Sequence, residues 1–202
     1  MRIKGGNNKR IGEIKRETKE TRITVTLDLD GKGTYMVRTP IPFFTHMLEQ
    51  FAKHGGFDLS VHAEGDVEID FHHTVEDVGI CIGQALVKAV GEKHGMRRYG
   101  GCTLPMQDAL LRTALDFCGR PHLTFAVPFP HPKVGNFDAE LVEEFFIALV
   151  NNAGITAHID LLRGHNMHHI VEGAFKSFTR ALAEAVSVDE ARMTLPTTKG
   201  ML

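Results

Sequence analysis

The sequence has few cysteines, little net charge and no long apolar run, and each shortage excludes a class of protein. Its 3 cysteines form no Cys-x-x-Cys pair, so we expect neither a disulfide framework nor a cysteine-rich zinc site. The formal net charge is −2, which leaves no basic field for nucleic acid or an anionic membrane. No apolar run approaches about 18 residues, and the charged N-terminus lacks the apolar centre of a signal peptide. We therefore predict a cytoplasmic protein.

Histidine is abundant by contrast, and some of the histidines belong to a motif that occurs twice. Residues 72–76 read His-His-Thr-Val-Glu, and residues 168–172 read His-His-Ile-Val-Glu. Each motif opens a long segment with apolar residues at helical spacing. Upstream of the motifs, residues 46–63 also correspond to residues 144–161. This agreement favours an internal repeat over a chance similarity between two unrelated halves.

Each repeat predicts the elements of an α+β fold. Residues 46–56 have the spacing of an amphipathic helix that ends in glycine, and residues 57–63 alternate like a half-buried strand. We predict an internally duplicated α+β fold, in which each half is a mainly antiparallel four-stranded sheet with two helices on one face. The half-repeats are predicted at residues 1–95 and 96–202, which together form one compact catalytic domain.

An upstream hairpin is also expected in each half. Apolar residues alternate from Ile23 to Leu29, and Asp30-Gly31 supplies a turn signal. The segment 109–130 is interpreted in the same way, with its turn near Gly119. In both interpretations, strands that are consecutive in the chain are also neighbours in the sheet.

The repeated pentapeptide favours metal chemistry. At the start of a helix His72 and Glu76 share a face, whereas the adjacent His72 and His73 diverge by about 100°. Imidazoles that diverge so far cannot easily chelate one ion, which favours two metal sites that each take ligands from both copies. Imidazole and carboxylate without thiolate suit Mn, Fe, Co, Ni or Zn, and the zinc-protease patterns are absent. One such motif could equally be a solvated helix start, but two matched copies favour metal.

Basic residues on turns offer places for an anionic group. Arg98 and Arg120 lie near glycines, where a guanidinium fork can grip phosphate. The segment 197–200 reads Thr-Thr-Lys-Gly and offers hydroxyls, backbone N–H groups and an ammonium, and Lys176 lies one helical turn after Glu172. Singly, each is typical of an ordinary surface charge. Together they favour a phosphorylated small-molecule substrate.

These features resemble the imidazoleglycerol-phosphate dehydratase family over nearly the whole chain. The resemblance is carried by RIGEIKRETKETRITVTLDLDGKG, PFFTHMLEQFAKHGGFDL, DFHHTVEDVGICIGQAL, GHNMHHIVEGAFKSFTRAL and LPTTKGML. It implies a lyase that dehydrates D-erythro-imidazole-glycerol phosphate to imidazole-acetol phosphate in histidine biosynthesis. It also implies two Mn²⁺ ions per active site. The implied assembly is a large closed homo-oligomer of about two dozen subunits, with active sites at subunit interfaces.

The resemblance further implies roles for single residues. Glu20 would lie at the reacting carbons, where either a carboxylate such as Glu20 or a metal-bound hydroxide would move the proton, and Glu76 and Glu172 would be the other catalytic carboxylates. Where relatives have a histidine this chain has Glu144, whose carboxylate can still bind Mn²⁺. The implied metal ligands are His46, His72, His73, Glu76, Glu144, His168, His169 and Glu172. The implied substrate-binding residues are Glu20, His46, Gln50, His54, Arg98, Arg120, Lys176, Thr197, Thr198 and Lys199.

Two other functions stay open at the level of the sequence. A metal-storage assembly would also use histidine and glutamate on helices, but it does not need the basic turns. A dinuclear metallohydrolase acting on a phosphorylated small molecule would release phosphate, whereas dehydration leaves the phosphate attached to a ketone. A purely structural module gives no reason for 12 histidines placed in this way.

Overall fold

The computed structural model describes residues 9–200, which contain two four-stranded sheets, one two-stranded sheet and four helices. The elements of the first half are β1 (Ile11–Glu17), β2 (Thr21–Asp28), β3 (Tyr35–Arg38), α1 (Pro42–Gly55), β4 (Asp58–Gly65) and α2 (His72–Val90). Those of the second half are β5 (Tyr99–Met106), β6 (Ala109–Asp116), β7 (His122–Ala126), β8 (Lys133–Val134), β9 (Phe137–Asp138), α3 (Glu140–Ala153), β10 (Thr156–Arg163) and α4 (Met167–Val186).

The two large sheets have the same strand order. The first runs β1-β2-β4-β3 and the second β5-β6-β10-β7. In each sheet two strand pairs are antiparallel, and the last pair, β3–β4 or β7–β10, is parallel. The predicted α+β class and the mainly antiparallel four-stranded sheets are therefore confirmed. The repeated order is the arrangement that a duplicated domain would have.

The hairpins lie elsewhere than the sequence predicts. β1 and β2 form the first hairpin around Lys19-Glu20. The predicted hairpin across Asp30-Gly31 is wrong, because β2 already has β1 and β4 on its two edges. The Asp58 carboxylate at the start of β4 accepts the backbone N–H groups of Lys32 and Thr34 at 2.8 Å each. These hydrogen bonds hold the loop between β2 and β3 against β4. β3, which follows this loop, then lies beside β4.

The same correction applies to the second half. The predicted turn near Gly119 does not join paired strands, because β6 lies between β5 and β10 and has no free edge. β7 instead pairs with β10. The hairpin of this half is β5–β6, which turns at Gln107-Asp108.

The helices lie on one face of each sheet and meet in the middle of the molecule, α1 against α4 and α2 against α3. A Cβ at Gly79 would lie 2.8 Å from the carbonyl oxygen of Phe145, and one at Gly83 would lie 2.6 Å from that of Leu149. The order of these contacts shows that α2 and α3 run in the same direction, so their starts lie at the same end. No helix in the described range is long and apolar enough to cross a bilayer.

Candidate functional site

The packing of α1 against α4 brings three of the predicted metal ligands together. His46 on α1 and His168 and Glu172 on α4 offer ligating atoms that all lie within 4.8 Å of one another. Glu172 Oε2 lies 2.9 Å from His168 Nε2 and 3.5 Å from His46 Nε2. We call this set the α1–α4 cluster. Within residues 9–200 it is the one group of at least three His, Cys, Asp or Glu side chains that meet this distance.

Glu172 is the buried member of the α1–α4 cluster. Its second carboxylate oxygen contacts the ammonium of Lys176, one helical turn further along α4. Burial acts to raise the pKa of Glu172, but the hydrogen bonds and charges of Lys176 and His168 hold this pKa below its ordinary value. The carboxylate is therefore ionised at neutral pH and available to a cation.

On the other packed helix pair, α2 and α3, the corresponding residues are His72, Glu76 and Glu144. We call these three residues the α2–α3 set. His72 Nε2 lies 3.9 Å from Glu76 Oε2. Glu144 precedes Phe145, whose carbonyl group approaches α2 at Gly79, one turn after Glu76. The helix contacts thus place Glu144 at the level of Glu76. The structure does not bring the three side chains within the distance that the α1–α4 cluster meets.

The second histidine of each motif turns away from its neighbour. The ring planes of His72 and His73 lie 90° apart, and those of His168 and His169 lie 83° apart. His73 Nδ1 lies 3.0 Å from a carboxylate oxygen of Asp66. A carboxylate on Nδ1 fixes the tautomer and leaves Nε2 available to a ligand. The hydrogen bond to Asp66 also raises the pKa of His73.

Asp108 has the same relation to His169, with Oδ1 2.6 Å from His169 Nδ1. Its other oxygen accepts the backbone N–H groups of His165 and Asn166 at 2.8 and 3.0 Å. These hydrogen bonds, that of His169 first, hold the pKa of Asp108 well below its usual range. The side chain of Asn166 caps α4 by accepting the N–H group of His169 at 3.2 Å. Sequence reasoning missed Asp66 and Asp108, because a lone aspartate beside a turn is common.

Glu20 lies on the β1–β2 turn beside His73. Its Oε1 is 4.0 Å from His73 Nε2, and its side chain is 53% exposed. The Glu20 carbonyl accepts the backbone N–H group of Asp66 at 3.1 Å. The turn that carries Glu20 is therefore attached to the residue that orients His73.

Gln50 and His54 continue the row of side chains that starts at His46 on α1. His54 Nε2 lies 3.1 Å from Gln50 Oε1. Burial and then the positive charges of Lys176 and Arg180 lower the pKa of His54, so its ring is neutral at neutral pH. Gln50 and His54 thus offer neutral hydrogen-bonding groups next to the α1–α4 cluster.

A cavity of about 490 Å³ gathers most of the predicted phosphate-binding residues. The Arg98 guanidinium donates to both carboxylate oxygens of Asp116, at 2.6 and 2.9 Å, and to the Pro196 carbonyl at 3.0 Å. Lys176 is not part of the lining, since it lies at the α1–α4 cluster. The cavity is lined by Arg98, Tyr99, Cys118, Arg120, Pro196, Thr197, Thr198 and Lys199.

The cavity and the α1–α4 cluster lie at opposite ends of α4. The backbone N–H of Arg98 bonds the carbonyl of Ala185 at 2.8 Å, next to the last residue of the helix. Glu172 lies in the second turn of the same helix. A helix rises 1.5 Å per residue, so the two places are roughly 20 Å apart.

The fold and the site define an α+β protein with histidine and carboxylate groups paired at the starts of its helices and a cationic cavity at the far end of α4. A family model described as imidazoleglycerol-phosphate dehydratase matches residues 39–182. The chain belongs to this family, which confirms the resemblance seen in the sequence.

Relatives and solved structures agree with this assignment. A curated imidazoleglycerol-phosphate dehydratase from Cereibacter sphaeroides is 55% identical over 194 residues, which cover 96% of this chain and 100% of the relative. One from Moorella thermoacetica is 51% identical over 189 residues, covering 94% and 96%. The crystal structure of the Staphylococcus aureus enzyme matches with a TM-score of 0.81 at 41% identity, covering 89% of this chain and 99% of that one. The Pyrococcus furiosus structure gives 0.82 at 34% identity, covering 94% and 100%.

Proposed function

We propose that the chain is a hydro-lyase that converts D-erythro-imidazole-glycerol phosphate to imidazole-acetol phosphate in the biosynthesis of histidine. Family membership and 55% identity to a curated dehydratase support this activity. The observation that carries it is the α1–α4 cluster, whose ligating atoms lie within 4.8 Å of one another. The cationic cavity favours an enzyme of a phosphorylated substrate over a metal-storage assembly, which would have no use for it.

The residues present suit manganese. The α1–α4 cluster combines two imidazoles and a carboxylate without thiolate, a donor set that Mn²⁺ accepts. The Asp66–His73 and Asp108–His169 pairs have the carboxylate–imidazole arrangement that accompanies metal-binding histidines. When bound, the ions would supply Lewis-acid activation and a template for the substrate. We propose two Mn²⁺ per active site, held by His46, His72, His73, Glu76, Glu144, His168, His169 and Glu172.

Neighbouring subunits complete each site in this proposal. One subunit holds its α1–α4 cluster and its phosphate cavity roughly 20 Å apart along α4, too far for one small substrate to touch both. His73 and His169 turn away from the neighbouring histidines on their own helices, so each can serve a site formed with another subunit. We propose a large closed homo-oligomer, of about two dozen subunits, with active sites at its interfaces.

The chain's own groups divide the chemistry between them. Dehydration removes the hydroxyl from the carbon next to the imidazole ring and a proton from the following carbon, and the resulting enol tautomerises to the ketone. Glu20 lies beside His73 and is the carboxylate that moves the proton, a role that contributes typically 10²- to 10⁴-fold in rate. Glu76 and Glu172 supply negative charge for the bound ions, and Gln50 and His54 contact the substrate.

The basic residues hold the end of the substrate that does not react. Arg98, Arg120, Thr197, Thr198 and Lys199 bind the phosphate in their cavity. Binding energy from this remote group fixes the reacting carbons in place. Lys176 reaches the substrate from the α1–α4 cluster instead.

The test is incubation of the purified protein with imidazole-glycerol phosphate, with and without a chelator and added Mn²⁺. We expect a ketone that keeps its phosphate, loss of turnover on chelation and recovery with Mn²⁺. Release of inorganic phosphate would indicate a metallohydrolase instead. Tight metal binding without any turnover would indicate a storage assembly.

A further inference from the structure

The two hairpins can be compared residue by residue, because β1–β2 and β5–β6 pair in the same register. Glu20, on the first turn, corresponds to Asp108 on the second. The repeated pentapeptides align α2 with α4 in the same way. Three further corresponding pairs are Arg16 with Leu104, Thr21 with Ala109, and Asp77 with Gly173.

Asp77 is a buried carboxylate on α2, one residue after Glu76 and 5% exposed. It accepts a hydrogen bond from Thr21 Oγ1 at 2.5 Å and another from Arg16 Nε at 2.9 Å. Thr21 is itself buried and directly follows Glu20. Asp77 therefore attaches the start of β2 to α2 at the point where the Glu20 turn ends.

The attachment continues into the turn through Thr18. Thr18 Oγ1 lies 3.3 Å from Thr21 Oγ1 and accepts the backbone N–H groups of Glu20 and Thr21 at 3.1 and 3.0 Å. A continuous chain of polar contacts thus runs from the Asp77 carboxylate to the backbone of Glu20.

The second half holds its hairpin on α4 without these groups. Gly173 takes the place of Asp77, and the Leu111 side chain fills the space beside it, 2.5 Å from where a Cβ would lie. Leu104 and Ala109 replace the arginine and the threonine. Burying an ionic group is costly, and apolar packing in its place is often neutral or stabilising. The fold therefore does not need the polar contacts, yet they occur in the half that presents Glu20.

We infer that Asp77, through Thr21 and Arg16, is a positioning residue that holds the β1–β2 turn so that the Glu20 carboxylate stays beside His73. This inference deepens the proposed function and rests on it, since it requires Glu20 to be the proton-transfer group. Asp77 acts through the turn, without itself contacting the substrate.

Thr21→Val tests the inference because it removes the hydroxyl with little change in shape, while Thr21→Ser keeps the hydroxyl. We expect Thr21→Val in the intact oligomer to lower kcat roughly 10- to 100-fold, as a small displacement of a reacting group does, with Mn²⁺ content and KM unchanged. Thr21→Ser should keep kcat within about twofold, by the same reasoning. Wild-type kcat in Thr21→Val would overturn the inference.

Thr113→Val is the matched control. Thr113 is buried in the second half, and its Oγ1 lies 2.8 Å from Ser177 Oγ. The change removes a buried hydroxyl of the same kind, away from Glu20, and should leave kcat unchanged. An equal loss of kcat in Thr113→Val, or a loss that follows the unfolded fraction in either variant, would show a general effect on stability and overturn the inference.

A double-mutant cycle with Glu20→Gln separates this inference from the proposed function. If Thr21 acts through Glu20, adding Thr21→Val to Glu20→Gln should cause no further loss of kcat, because coupled residues are not additive. Additive losses would overturn the positioning role and leave the proton-transfer role of Glu20 intact. Full turnover in Glu20→Gln alone would overturn both.

Discussion

The hairpin turns of the two halves place a carboxylate next to the second histidine of each motif, but the contacts differ. In the second half Asp108 lies 2.6 Å from His169 Nδ1. In the first half Glu20 lies 4.0 Å from His73 Nε2, while Asp66 occupies Nδ1 at 3.0 Å. In the first half the carboxylate that orients His73 is Asp66, which comes from another loop. The hairpin carboxylate, Glu20, is therefore not needed to orient His73. In the proposed mechanism the repeated fold would use this position for structure in the second half and for chemistry in the first.

The two sets of cluster residues differ as well. The α1–α4 cluster has two imidazoles and one carboxylate, whereas the α2–α3 set has one imidazole and two carboxylates, because Glu144 stands where His46 stands in the repeat. More carboxylate makes a site harder and more negative. We expect the two proposed ions to be bound with different affinities.

Replacing a member of the α1–α4 cluster should have the largest effect. His168→Ala removes one of two imidazoles that lie with Glu172 within 4.8 Å, so we expect loss of one Mn²⁺ per subunit and of measurable turnover together. Elemental analysis and the ketone assay check this. His158→Ala, on the exposed side of β10, is the control and should keep both. Full activity in a metal-depleted His168→Ala variant would refute the metal site.

Removing the orienting carboxylate of the first half should have the next largest effect. Asp66→Asn keeps the shape but weakens the hold on the His73 tautomer, and such changes typically lower metal affinity 10- to 100-fold. Titration of the metal-free protein with Mn²⁺ measures this affinity. Glu68→Gln, two residues away in the same loop, is the control. An unchanged affinity in Asp66→Asn would mean that His73 does not bind the ion.

A change at the other end of α4 should act on substrate binding alone. Lys199→Met removes one cation from the proposed phosphate cavity, and the loss of a hydrogen bond to a charged group should raise KM roughly 10-fold. The measurement is KM and kcat from initial rates, with Lys15→Met on β1 as the control. A fall in kcat with an unchanged KM would argue against a phosphate site there.

Packing between α2 and α3 should show the smallest effect. A Cβ at Gly79 would meet the Phe145 carbonyl at 2.8 Å, whereas one at Gly101 would meet nothing closer than 3.7 Å. We expect Gly79→Ala to lower the free energy of unfolding by about 1–3 kcal/mol and Gly101→Ala to change it little. Denaturant unfolding measures both. Equal free energies of unfolding in the two variants would mean that α2 and α3 can move apart without loss of stability.

The sequence predicted the helices and the paired motifs because both depend on local spacing. It placed the hairpins wrongly because Asp30-Gly31 has the usual turn composition, whereas the real turns at Lys19-Glu20 and Gln107-Asp108 contain no glycine. The first real turn is held instead by the Thr18 hydroxyl. Its stability therefore comes from side-chain contacts that no dipeptide signal reports.

The candidate site was predictable only where its residues belong to the repeated sequence motif. The histidines and glutamates of the two motifs stand out by their spacing. Asp66, Asp77 and Asp108 are single carboxylates without a pattern, and their roles depend on contacts between distant segments. They became visible only when the fold brought them to His73, Thr21 and His169.

The difference between the two hairpin carboxylates is tested most directly by measuring Mn²⁺ affinity and kcat side by side in Glu20→Gln and Asp108→Asn. We expect Glu20→Gln to keep its Mn²⁺ affinity and to lose about 10²- to 10⁴-fold in kcat. Asp108→Asn should lose about 10- to 100-fold in Mn²⁺ affinity and recover most of its kcat at saturating Mn²⁺. The same pattern in both variants would contradict a division of work between the two halves.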